Sequence, residues 1–246
     1  MGKIGYGYGS ECHLLRWMGR HRKAFDAAVL SAIRREGSRI EWLDFKFKSG
    51  DIWPDAELQG IEFLAKNEAL QKKWERFWPV GRGIHNWDAV GWVCSNEIQE
   101  LLLVEAKAHI EETKTNCQAK DPGSIKKIVE AFEMVKNALG VPNEIGWMKD
   151  YYQVTNRIAS LYFLHQQKIP SHLLFIYFVG DRRNSRRESP QSKEEWEKIL
   201  KMQEESVGLP RGHILEDRIH KLFLRVDRKT LQENASKKGN TYHFLK

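Results

Sequence analysis

Glu105, Lys107 and His109 stand at every second position in the stretch "LLLVEAKAH", residues 101–109. Strand side chains alternate between faces, so in an extended chain these three share one face. Val104, Ala106 and Ala108 take the other. The apolar run before them has the continuity of a strand buried on both faces. A buried carboxylate or ammonium is costly unless it pairs or binds a metal. A second stretch, "HNWDAVGWV" (85–93), carries a single acidic residue, Asp88, among Trp87, Ala89, Val90 and Trp92. "CSNEIQE" between them reads as a turn, so the two stretches form a hairpin with Asp88 near Glu105. Two neighbouring carboxylates suit Mg²⁺, which prefers oxygen ligands and keeps several waters. A lysine beside a divalent cation has its pKa lowered by that charge. Such a set can neutralise a phosphate and generate a water nucleophile.

Glu-x-Lys occurs twice, as Glu105-Ala106-Lys107 and Glu112-Thr113-Lys114. Only the first follows an apolar run, and the second is read as solvated surface. The elements around the hairpin must position the set. Residues 11–36 predict one helix from the spacing of Leu14, Leu15, Met18, Phe25, Val29, Leu30 and Ile33. Residues 39–47 alternate as a strand, and 54–78 predict a helix entered through Pro54 and Asp55. After "DPGS", Ser124 is the expected cap of a helix over 125–139 that ends at Gly140. A helix over 147–167 is followed by the apolar strand 171–179. A helix over 192–206, capped by Ser192, and a strand over 218–226 follow, and the last twenty residues are polar. The order helix, hairpin, helices, buried strand predicts an α/β sandwich with a central mixed sheet flanked by helices, in one domain spanning 1–246.

In the helix over 147–167, Gln153, Asn156, Arg157 and Ser160 fall at i, i+3, i+4 and i+7. They form one polar stripe on an otherwise apolar cylinder, and such a stripe is expected to turn toward a polar interior rather than solvent. Arg157 would then meet a phosphate or a carboxylate. "DRRNSRR" places Arg182, Arg183, Arg186 and Arg187 on a loop, suited to phosphate-backbone contacts or simply solvated.

Asp88, followed by Glu105-x-Lys107 at adjacent strand ends after a helix, resembles the PD-(D/E)XK nuclease superfamily. The resemblance covers a core of about residues 54–179. An N-terminal helix-strand extension (1–50) and a C-terminal one (190–246) lie outside it. It implies a restriction-endonuclease-like fold and Mg²⁺, with Mn²⁺ as substitute, held by Asp88, Glu105 and the backbone carbonyl of Ala106. Lys107 would orient or activate the attacking water. Gln153 resembles the glutamine that the superfamily often places on its next helix. The glutamate often supplied by the helix before the hairpin would come from Glu57, Glu62 or Glu68, with Glu62 preferred. His109 would touch phosphate or accept a proton. Trp87 stands where the motif's proline would be. The implied partner is nucleic acid, DNA in most members, and many such nucleases dimerise.

A net charge of +7 leans toward an anionic partner. The three cysteines form no CxxC pair, which suits a reducing cytoplasm and argues against structural zinc. No run of 18 apolar residues occurs, so no membrane span is expected. Tyr6 removes the myristoylation pattern that Gly2 invites. Two other accounts stand beside hydrolysis: a catalytically silent nucleic-acid-binding module of the same fold, and a structural ion pair of Lys107 with Glu105 or Asp88 in an unrelated protein.

Overall fold

The computed structural model describes residues 7–43, 57–81, 84–96, 98–181 and 188–226. Helices α1 (Ser10–Arg20) and α2 (Arg22–Ala32) precede strand β1 (Arg39–Trp42). A short ribbon of β2 (Leu58–Gln59) and β3 (Asn86–Trp87) brackets α3 (Glu68–Phe77). Then come β4 (Ala89–Cys94), β5 (Gln99–Lys107), α4 (Pro122–Leu139), α5 (Tyr152–Gln166), β6 (Ser171–Val179), α6 (Lys193–Val207) and β7 (Ile219–Arg225). The main sheet has the order β1-β4-β5-β6-β7. β4 pairs antiparallel with both β1 and β5, and β5, β6 and β7 are parallel to one another. The expected mixed sheet flanked by helices is present, and the hairpin is its β4–β5 pair.

Alternation along the central strands builds two cores. Leu102, Val104 and Ala106 of β5 and Leu174, Ile176 and Phe178 of β6 pack against Leu14 and Met18 of α1 and Phe25 and Val29 of α2. Leu101 and Leu103, with Leu173, Phe175 and Tyr177, face α3 to α6. Glu105 and Lys107 continue that second row, so the period of two points them at α5. No helix among the described residues is long and apolar enough to cross a membrane.

Several boundaries differ from expectation. The predicted helix over 11–36 breaks at His21, whose backbone leaves helical geometry, and Arg22 Nε donates to the Met18 carbonyl at 2.8 Å. The apolar spacing survives the break because Leu14, Met18, Phe25 and Val29 pack on one sheet face. The predicted helix over 54–78 is, within the described residues, β2, a 3₁₀ turn over Glu62–Leu64, and α3. Asn67 starts α3 by accepting from the Leu70 N–H at 3.0 Å. Asp121, not Ser124, caps α4: it accepts from the Ser124 N–H at 2.7 Å, with Pro122 opening the first turn. Ser192 caps α6 as expected and accepts from the Glu195 N–H. The predicted strand over 39–47 is described only as far as Leu43. Arg182, Arg183, Arg186, Arg187 and the polar tail lie outside the described residues.

At the opposite end of β5 from Lys107, a partly buried polar cluster joins three strands. Glu100 accepts from Arg35 Nε (2.5 Å), Arg218 Nη1 (2.6 Å) and His172 Nε2 (3.1 Å), and His172 Nδ1 meets His220 Nε2 at 3.0 Å. Burial raises the Glu100 carboxyl, but the hydrogen bonds from Arg35, Arg218 and His172 hold it well below the ordinary range. Burial, then His172, Arg34, Arg218 and Arg35, push His220 down to about 4. A histidine whose folded pKa is depressed binds fewer protons folded than unfolded below its ordinary 6.5, so stability falls as pH drops from there toward 4. Melting temperature is expected to decline across that window, and His220→Asn to flatten the decline. Equal slopes in variant and wild type would remove His220 from the account.

Candidate active site

Asp88 occupies the single position between β3 and β4, where the chain passes from the ribbon into the main sheet. Ala89 lies opposite Val104 in the β4–β5 register, which sets Asp88 beside the end of β5. There Asp88 Oδ2 accepts from the Ala106 N–H at 2.6 Å. Ala106 thus fixes Asp88 to β5 through its backbone while its methyl packs in the α1–α2 core.

Glu105 is 1% exposed and both of its oxygens meet cations. Lys107 Nζ donates to Oε1. Arg157 Nε and Nη2 lie 2.7 and 2.6 Å from Oε2. Arg157 also donates through Nη1 to Asn156 Oδ1 at 2.9 Å and through Nη2 to the Asn86 carbonyl. Its guanidinium lies 4.6 Å from the Trp87 ring centroid, a cation–π contact. Trp87 is itself pinned by a 2.8 Å hydrogen bond from Nε1 to the Gly60 carbonyl. Trp87 therefore supports the arginine.

The stripe on α5 turns inward. Asn156, Arg157 and Ser160 are buried, and Gln153 is half-buried on the cleft wall. Ser160 Oγ lies 3.1 Å from His85 Nε2 and donates to the Asn156 carbonyl at 2.9 Å. α5 has no side-chain cap. Its first N–H groups go instead to Thr115, Tyr152 N to the carbonyl at 3.0 Å and Gln153 N to Oγ1 at 2.8 Å. That contact fixes the height at which Gln153 enters the cleft.

Burial pushes Asp88 upward, the charge on Glu105 adds to it, and Lys107, the Ala106 N–H and Arg157 offset only part, leaving it at about 7. Burial also raises Glu105, but Arg157 and Lys107 more than reverse this and hold it below its ordinary value. The two carboxylates are therefore inequivalent in the same cleft, which has a volume of about 700 Å³. Asp88, Glu105, Ala106, Lys107, Gln153, Asn156 and Arg157 all line it.

Two expected residues are not there. β5 ends at Lys107, so His109 leaves the shared face. It is fully buried, with Nδ1 3.0 Å from Glu112 Oε1, Nε2 3.5 Å from Asp181 Oδ2, and its ring against Tyr8. Glu62 sits in the 3₁₀ turn, accepts from the Gln59 N–H at 2.6 Å, and lines a separate hollow with Ile61, Gln71 and Trp74. Of Glu57, Glu62 and Glu68, it is Glu57 that lines the cleft, tied to Asn86 Nδ2 at 2.7 Å. Glu112 corrects a surface assignment: it accepts from the Ala108 N–H at 2.9 Å, leaves only 17% of its side chain exposed and lines the cleft. His85 and Tyr152 also line it.

Among the described residues, no three His, Cys, Asp or Glu side chains converge as a metal-ligand group. Comparisons with family models, with curated proteins and with solved structures find no match for this chain.

Proposed function

We propose that this cleft is the active site of a Mg²⁺-dependent nuclease of PD-(D/E)XK type on a restriction-endonuclease-like fold, acting on DNA. The observation that supports it is the convergence of Asp88, Glu105 and Lys107 in one cleft at adjacent strand ends, with the Ala106 N–H clamping Asp88. The donor set fits the ion. Mg²⁺ is commonly held by one or two carboxylates, with waters and substrate phosphate oxygens completing its shell, so no third protein carboxylate is required. Burial and then the charge on Glu105 raise Asp88, and a dication beside both groups would offset both effects. When bound, the ion supplies charge neutralisation at the phosphate and a more acidic water. Asp88 and Glu105 would hold it. Lys107, on a flexible stem at the cleft wall, would orient the attacking water. Gln153 and Asn156 present amides to the same space.

A second account rests on the saturation of Glu105: with both oxygens already meeting cations, the cluster could serve nucleic-acid binding or structure alone. The two separate on a panel of linear, circular and single-stranded DNA and RNA, incubated with Mg²⁺, Mn²⁺ or a chelator. Metal-dependent cleavage of DNA, absent with chelator, is expected. Retention of nucleic acid without cleavage would favour the silent module, and neither binding nor cleavage the structural pair.

A further inference from the structure

The two cations on Glu105 differ in how easily they can leave. The Arg157 side chain is 2% exposed and holds Glu105 Oε2, Asn156 Oδ1 and the Asn86 carbonyl while lying on Trp87. Displacing it would strip several charge-assisted contacts inside the core, each expensive to leave unmade. Lys107 has one hydrogen bond, to Oε1, on a four-carbon stem at the cleft wall. An ammonium is a compact point charge on a flexible arm, whereas a guanidinium fork is fixed by its geometry. One side of Glu105 is thus replaceable and the other is permanent.

Two-metal hydrolytic centres set their ions about 3.5–4 Å apart on shared oxygen ligands. Here Arg157 covers Glu105 Oε2 at 2.6–2.7 Å and closes that oxygen to an ion. A second dication there would face a guanidinium at close range in a poorly screened interior. Building on the nuclease reading, we infer that the cleft binds one divalent cation only, on the Oε1 side of Glu105, where Lys107 now sits, and that Arg157 stands as a fixed cation in the place of a second ion. Arg157 is a positioning residue: it acts through Glu105. Lys107 has two stations, on Glu105 before the ion binds and released toward the cleft afterwards. Asp88, whose Oδ2 is held by the Ala106 N–H and which has no cation within salt-bridge distance among the described residues, lines the same cleft.

The test counts ions without relying on cleavage. Mn²⁺ is titrated into the full chain and followed by electron paramagnetic resonance and by calorimetry. Wild type should bind one Mn²⁺ with an uncoupled spectrum. Lys107→Met, which removes the competitor, should still bind one, about tenfold more tightly. Arg157→Met should admit a second and give a spin-coupled pair. Its failure to fold would leave the decision to the other two proteins. Two Mn²⁺ on wild type, or binding by Lys107→Met no tighter than wild type, would overturn the single-ion inference and leave the nuclease reading standing. No Mn²⁺ on wild type would overturn both.

Discussion

Asp88→Asn is expected to lower Mg²⁺-dependent cleavage about 10³-fold, the scale on which removing a charged group from a preorganised site acts, while making the ion-free protein more stable. The activity loss follows from the proposed role of Asp88 as one of the two carboxylates that would hold the ion. The stability gain follows from the raised pKa. Asp88 titrates at about 7 folded against an ordinary 3.8, so between those values the folded chain binds more protons than the unfolded one. Stability contributed by this group therefore falls as pH rises through that window and stays low above it. Asparagine mimics the protonated form and its side-chain oxygen can keep the Ala106 N–H. The melting temperatures of variant and wild type should converge near pH 4 and separate by pH 8, with the variant higher. A variant that melts lower at pH 8 would mean that Asp88 is a structural partner rather than a strained ligand. A ligand site commonly trades stability for function in this sense.

Arg157→Ala is expected to be the most damaging single change to the fold. It leaves Glu105 buried with one counter-ion and strips Trp87 and the Asn86 carbonyl of their partner. Removing one member of a buried ion pair costs about 3–5 kcal/mol. For a chain of this size that is a fall in melting temperature on the order of 10 °C. The pair Glu105→Gln with Arg157→Met should recover much of the loss, because the uncompensated charge disappears together with its partner. Additive losses in the double variant would show that Arg157 stabilises through packing on Trp87 rather than through Glu105.

The sequence made the centre of the site readable because its signal was periodic. Glu105 and Lys107 could be placed on one face from strand alternation alone, and Arg157 from the four-residue stripe on α5. Whether Arg157 meets phosphate or carboxylate was open from spacing, and the structure puts it on Glu105. His109 was misplaced because alternation says nothing about where a strand stops, and β5 stops two residues earlier. Glu112 reads as surface and Glu57 stands behind Glu62 among the candidate glutamates, because only the return of the chain over the end of β5, or the β2–β3 ribbon, brings them to the cleft. The break at His21 was hidden because both α1 and α2 keep the same apolar face toward the sheet. Among the described residues the predicted helix over 54–78 survives only as α3, because its apolar spacing continues through a 3₁₀ turn and a ribbon, and the ribbon's backbone partners lie at His85 to Trp87. Those pairings are distant in sequence and carry no local mark.

The most direct test of the central claim is the rate at which wild type cuts supercoiled and linear DNA in Mg²⁺, measured beside Lys107→Met after both have been shown to bind Mn²⁺. Hydrolysis by wild type, abolished by chelator and lost in a variant that still holds the ion, is the predicted result. Equal cleavage by both proteins, or none by an ion-loaded wild type on any DNA, would contradict it.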